Sequence, residues 1–282
     1  SDFYFVQMAD TQFGLMGAVK QSQMTDLQPE LSSEEVYELE LEMTRTAVKT
    51  INSLSPPPSF VVVCGDLVNA FPSTPQEQDK QIQDFKELMG AVNVDIPLVC
   101  VCGNHDIGDT PNRKTVDRFK EKFGDDFFSF WVQGVKFLVI NSQFYYDSSD
   151  AKELLEEQDE WLTKELIATK QQEPTHAVVF SHIAPFLRAE FEETGYFNLK
   201  QQVRKSLLDR MKSAKVSKWF CGHFHRNAGG FTEDGLLECV VTTAVGTTIT
   251  NNEGGDFLGL SGMAGAHVVA SDSGFRIVKI QK

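Results

Sequence analysis

No apolar run in these 282 residues approaches the roughly 18 that a membrane-spanning helix needs, so a membrane is not an expected partner. Basic residues are in short supply too. The 26 Lys and Arg stand against 40 Asp and Glu, and the formal net charge of -14 repels a phosphate backbone, which argues against nucleic acid. Cysteine is scarce and odd in number: five, at positions 64, 100, 102, 221 and 239, four of them inside strand-like apolar runs instead of at disulfide-scaffold spacings. Buried, reduced thiols are the expectation. The opening "SDFYFVQMAD" lacks a basic start and a small-residue cleavage site. A cytoplasmic setting is therefore expected, with a removed leader left open because the chain does not begin with Met. There is no repeat at solenoid spacing and no low-complexity linker, so residues 1–282 are read as a single domain.

What is present is an alternation of short β-type runs with helical stretches, the pattern of an α/β protein. Strands are expected at 3–9, 60–64, 97–102, 135–141, 176–181 and 217–221. In "SSEEVYELELEMTRTAVKTINSL", Val36, Leu39, Met43, Ala47, Val48, Ile51 and Leu54 keep helical spacing, Ser32 with Glu35 makes a capping box, and Pro56 to Pro58 stop the helix. Further helices fit 76–92, 113–123, 150–170 and 199–213. From about 230 the texture changes to β runs without helices, which suggests a second sheet packed on the first. Segments 13–31, 183–198 and 247–263 are expected to be loops, the second rich in aromatics.

Chemistry-bearing residues collect where the strands stop. Asp10 and Gln12 follow the first strand, Asp66 and Asn69 the second, Asn104 and His105 the third, His182 follows "HAVVFS", and His223 and His225 follow "KWFCG". In α/β sheets ligands bind at strand carboxyl ends, so residues far apart in sequence converge there. Hard oxygens mixed with imidazoles suit Mn, Fe or Zn better than an all-oxygen Mg or Ca cage, and the set is large enough for two ions. Three of these strands end in Cys-Gly. A thiolate site is one reading; a small buried residue before a glycine that clears space for close approach is the simpler one.

The words "ADTQ", "GDLVN", "GNHD", "SH" and "GHFH", spanning Asp10 to Arg226, resemble in order and spacing the five motifs of calcineurin-like metallophosphoesterases. The flanking "QFG", "GNHDIG", "FFSFWV", "INSQF" and "GHFHRNAGG" look like the calcineurin-like phosphoesterase domain-containing (complete S-transactivated) subgroup. The resemblance implies a four-layer α/β/β/α sandwich of two mixed sheets. It implies one metal on Asp10, Gln12, Asp66 and His225 and another on Asp66, Asn104, His182 and His223, with Asp66 bridging. His105, free of metal duty, would give the leaving alkoxide its proton, with Asn69 orienting it. The substrate phosphate would meet Asn104, His105 and Arg226, although a surface salt bridge is an alternative role for Arg226. Two positions depart from the family pattern: Gln12 replaces the usual His, and Asn69 stands where Asp is frequent.

The expected activity is a dinuclear metal-dependent phosphomonoesterase using a metal-bridging hydroxide for in-line attack, and by the subgroup resemblance a protein serine/threonine phosphatase. Its substrates would be phosphoproteins or small phosphoesters. Two alternatives stand beside it: a phosphodiesterase for cyclic nucleotides or other small diesters, and a catalytically silent metal-binding scaffold, against which the intact His105 argues.

Overall fold

The computed structural model describes residues 2–21, 32–251, 266–269 and 273–281. Its elements run β1 (Phe3–Met8), α1 (Leu15–Gln21), α2 (Ser33–Ser53), β2 (Val61–Cys64), α3 (Pro75–Met89), β3 (Leu98–Val101), α4 (Asn104–Ile107), α5 (Arg113–Phe123), β4 (Phe128–Val132) and β5 (Val135–Val139). They continue as α6 (Gln143–Tyr146), α7 (Lys152–Gln172), β6 (His176–Phe180), α8 (Gln201–Ser213), β7 (Val216–Cys221), β8 (Ala228–Phe231), β9 (Glu238–Val241), β10 (Thr248–Asn251), β11 (Ala266–Val269) and β12 (Arg276–Ile280).

One sheet has the order β12-β1-β2-β3, with β1, β2 and β3 parallel and β12 antiparallel on the edge. The other has the order β4-β5-β6-β7-β9-β8, parallel from β5 through β9, with antiparallel β4 and β8 at its edges. Both sheets are therefore mixed. The expected origin of the second sheet is corrected: most of it comes from the middle of the chain. The late β runs divide, β8 and β9 extending that sheet, β12 closing the edge of the first, and β10 pairing with β11 alone. A strand's own pattern specifies which face is buried but not which neighbour it will find.

Because parallel strands are covered on both faces, their sequences are continuously apolar, and three clusters account for the four layers. Phe5, Phe60, Phe137, Phe180 and Phe220 fill the space between the sheets, where the Phe5 ring lies 4.8 Å from Phe60 and 5.6 Å from both Phe137 and Phe180. On the outer face of the first sheet Val61 and Val63 pack against Val48 and Ile51 of α2, Phe85 of α3 and Phe119 of α5. On the outer face of the second, Val179 and Trp219 pack against Leu162 of α7 and Leu208 of α8.

Helix α2 starts with the expected box: Glu35 N donates to Ser32 Oγ at 3.2 Å and Ser32 N to Glu35 Oε2 at 2.7 Å. Its buried face is rotated from the one expected. Leu39 is 43% exposed, and Glu40 points inward instead, because its carboxylate accepts from Gly14 N at 2.7 Å and Met16 N at 2.8 Å, free donors at the start of α1. That helix corrects the expectation of a loop from residue 13, and β10 that of a loop from 247; positions 22–31 and 252–263 of the expected loops lie outside the described residues.

Candidate metal centre

The turns that end β1, β2 and β7 hold their side chains by unusual backbone. Of the eight described non-glycine residues with positive φ, five are Asp10 (52°), Gln12 (37°), Asp66 (48°), His223 (67°) and His225 (54°). Such conformations cost free energy, and they persist here because surrounding bonds hold them: Asp10 N donates to Gly65 O at 3.0 Å, Gln12 N to Asp66 O at 3.1 Å, and His223 N to Asp10 Oδ2 at 3.0 Å. The Cys-Gly steps serve the same end. A Cβ on Gly65 would fall 2.3 Å from His182 Nδ1, and one on Gly103 2.2 Å from Asp66 Oδ1, so only glycine lets these side chains lie against the backbone. Burial pushes the Cys64, Cys102 and Cys221 thiols up, out of the range of a reactive thiolate.

Ligating atoms of Asp66, His182 and His223 lie within 4.8 Å of one another, as do those of Asp10, Asp66 and His225, so Asp66 belongs to both groups. Each histidine has one ring nitrogen on a backbone carbonyl: His182 Nδ1 on Cys64 O at 2.8 Å, His223 Nε2 on Tyr196 O at 3.1 Å, His225 Nδ1 on Thr247 O at 2.5 Å. A carbonyl only accepts, so these nitrogens carry hydrogen and the opposite ones are those a metal would meet. Burial holds His223 down at about 3 and His225 at about 4, which keeps both imidazoles neutral.

The remaining groups fit a cation. His182 Nε2 faces Asp66 Oδ2 at 3.2 Å and Asn104 Oδ1 at 3.1 Å, three potential ligand atoms turned on one point. Burial opposes charge on His182, but the Asp66 carboxylate outweighs it and pushes the imidazole up to about 9. Burial, with Asp66 beside it, raises Asp10 well above the usual carboxylate range, since two enclosed carboxylates resist ionising together without positive charge. Gln12 Oε1 is buried and has no hydrogen-bond partner among the described residues. Its Nε2 donates to Asn69 Oδ1 at 3.2 Å and faces His105 Nε2 at 3.1 Å, leaving the oxygen as a spare donor atom for a metal.

His105 differs from the other three. It is half-buried, its ring centroid 4.2 Å from that of Phe71 at a tilt of 38°, and with Asn69 it lines a cavity of about 840 Å³. One expectation takes a different form and a second needs correction. His105 is oriented by the backbone carbonyl of Asn69, 2.5 Å from its Nδ1, while the Asn69 side chain is engaged with Gln12. Asn104 has both amide hydrogens committed, to Asp109 Oδ1 at 3.0 Å and Tyr196 Oη at 3.1 Å, so it has none left for a phosphoryl oxygen. Asp106 braces the turn, accepting from Gly103 N at 2.7 Å and Leu67 N at 3.1 Å. Arg226 lies over the Phe224 ring at 4.3 Å. His176, which follows no motif, meets Gln281 O at 2.9 Å, and the side chain of His267 lies outside those described.

Tyr196 and Asp109 were not singled out as site residues from the sequence; the aromatic composition of 183–198 was the one signal, and of that set Phe186 and Phe197 are buried while Phe191 is 62% exposed. The calcineurin-like phosphoesterase family model matches residues 4–227. The chain belongs to that family. It is a metal-dependent hydrolase of phosphoric esters, and the family's centre is dinuclear. It is 46% identical over 244 residues to serine/threonine-protein phosphatase CPPED1 of Mus musculus, covering 86% of this chain and 75% of the relative. The Danio rerio protein of that name is 45% identical over 253 residues, covering 90% and 79%. Among solved structures, a dimetal phosphatase from Danio rerio shares the fold at TM-score 0.58 and 12% identity, covering 86% of this chain and 88% of that one. GAP50, titled the anchor in the inner membrane complex of Plasmodium, shares it at TM-score 0.60 and 13% identity, covering 99% and 81%.

Proposed function

We propose that this chain removes phosphate from phosphoserine and phosphothreonine of proteins as a phosphomonoesterase with two metal ions. The observation that carries the reading is a pair of ligand groups sharing Asp66, with a histidine outside them on the wall of a large cavity. Identity of 46% to a protein named as a serine/threonine phosphatase supports the substrate class.

In this reading Asp10, Gln12, Asp66 and His225 hold one ion and Asp66, Asn104, His182 and His223 the other, as Mn, Fe or Zn. Bound there, two divalent ions supply Lewis-acid charge to phosphoryl oxygens and lower the pKa of a water. The chain itself supplies orientation and protons. His105 Nδ1 donates to the Asn69 carbonyl, so Nε2 is the nitrogen that would exchange a proton with the leaving serine or threonine oxygen, and it acts as the acid in the doubly protonated form of the ring. Arg226, steadied on Phe224, offers two N–H groups to the phosphate. The cavity beside His105 gives the flanking peptide a place to lie.

Five free cysteines, four of them buried, support a reducing cytoplasmic setting. Residues after 227 add strands to both sheets, which supports a single domain over 1–282. Hydrolysis of a phosphoserine peptide compared with a bis-aryl phosphodiester tests the reading. Faster turnover of the peptide is expected, and turnover of the diester alone would refute it.

A further inference from the structure

One residue outside the ligand set touches two of its members. The Tyr196 carbonyl lies 3.1 Å from His223 Nε2, and its phenol oxygen accepts an Asn104 amide hydrogen at 3.1 Å. The second amide hydrogen goes to Asp109 Oδ1 at 3.0 Å. A carboxamide held this way cannot turn over, because exchanging its N and O would set an oxygen against the Asp109 carboxylate, acceptor against acceptor. Asn104 Oδ1 is thereby kept beside His182 Nε2, 3.1 Å away, where the potential ligand atoms converge. The same residue fixes which nitrogen of His223 is bare. The Tyr196 ring also lies 5.0 Å from the His223 ring, so it limits rotation of the imidazole.

The segment that presents Tyr196 is tied down by hydrogen bonds. The Glu192 carboxylate accepts from Leu187 N at 2.6 Å, Arg188 N at 2.8 Å and Asn198 Nδ2 at 2.7 Å, and the Arg204 guanidinium donates to the carbonyls of Glu190 and Glu192. A hydroxyl carried on such a frame is held to the tolerance that ligand positioning needs.

We infer that Tyr196 is the positioning residue of the subsite made by Asp66, Asn104, His182 and His223, with its phenol and Asp109 as the two anchors of the Asn104 carboxamide. The inference rests on the proposed ligand set, and the experiment separates the two. Metal-stripped wild type, Tyr196→Phe, Asp109→Ala and Asn104→Ala are titrated with Co²⁺ by calorimetry and visible absorption, with phosphopeptide turnover followed across the same concentrations.

Two binding events are expected for the wild type. Tyr196→Phe should weaken one of them by about 10- to 100-fold and leave the other unchanged, with turnover restored by excess Co²⁺. Asp109→Ala should weaken the same event. Wild-type binding by Tyr196→Phe while Asn104→Ala loses an event would overturn the positioning role and leave the ligand set standing. Wild-type binding by Asn104→Ala would overturn both. Equal weakening of both events together with a lowered melting temperature would make Tyr196 a structural residue and also overturn the inference.

Discussion

The four-stranded sheet brings Asp10, Gln12, Asp66 and Asn104 to the candidate centre, all with oxygen atoms to offer a metal, whereas the six-stranded sheet brings His182, His223 and His225, all with nitrogens. Neither sheet could build the centre alone. Oxygens supply the negative charge that attracts a cation and imidazoles supply the preference for transition metals, so the seam between the sheets is where both demands are met. Gln7 of β1 spans that seam: its Nε2 donates to Cys221 O at 3.0 Å and its Oε1 accepts from Thr242 Oγ1 at 2.5 Å. Packing between the sheets is therefore part of the site's geometry.

The largest break in this division of labour is Asp66→Asn, which removes the one carboxylate common to both groups. Loss of both metal ions and more than about 10²-fold in turnover is expected, by metal analysis and phosphopeptide assay; an active, metal-loaded variant would deny the shared role. His105→Ala should lower turnover of alkyl phosphates by about 10²- to 10⁴-fold and of aryl phosphates with good leaving groups far less, with metal content unchanged. Separating the sheets by Phe5→Ala should cost about 3–5 kcal/mol in denaturant unfolding and weaken metal binding in proportion.

Gln12→His tests the mixed donor set from the other side, by adding a nitrogen to the oxygen-rich sheet. Tighter binding at the subsite with Asp10 and His225, on the order of tenfold, is expected from calorimetry, and unchanged affinity would mean that the Gln12 oxygen is not a ligand. The smallest effect concerns Glu40. Burial raises its carboxyl from 4.5 to about 7 in the folded protein, so the folded state binds the extra proton across that window. Its contribution to stability is present below pH 4.5 and lost as pH rises through about 7. Glu40→Gln should flatten that part of the stability profile.

Motif residues and most elements were legible because both are local. The strand candidates at 3–9, 60–64 and 217–221 became β1, β2 and β7, and the Ser32 box starts α2 where expected. What was not legible depends on partners distant in sequence. Glu40 displaces Leu39 from the interior because Gly14 and Met16 need an acceptor, a fact no helical period contains. The late strands divide between sheets because the edges of β1 and β7 are free to take them. Tyr196 and Asp109 bear no motif, and their importance is visible only once Asn104 lies between them.

In the proposed mechanism, catalysis needs a two-ion centre assembled across the seam. The most direct test is a titration of metal-stripped protein with Mn²⁺, following bound metal per chain and phosphoserine-peptide hydrolysis together. Two ions per chain, with turnover rising as the second is filled, are expected. Full turnover with one ion or none would contradict that mechanism.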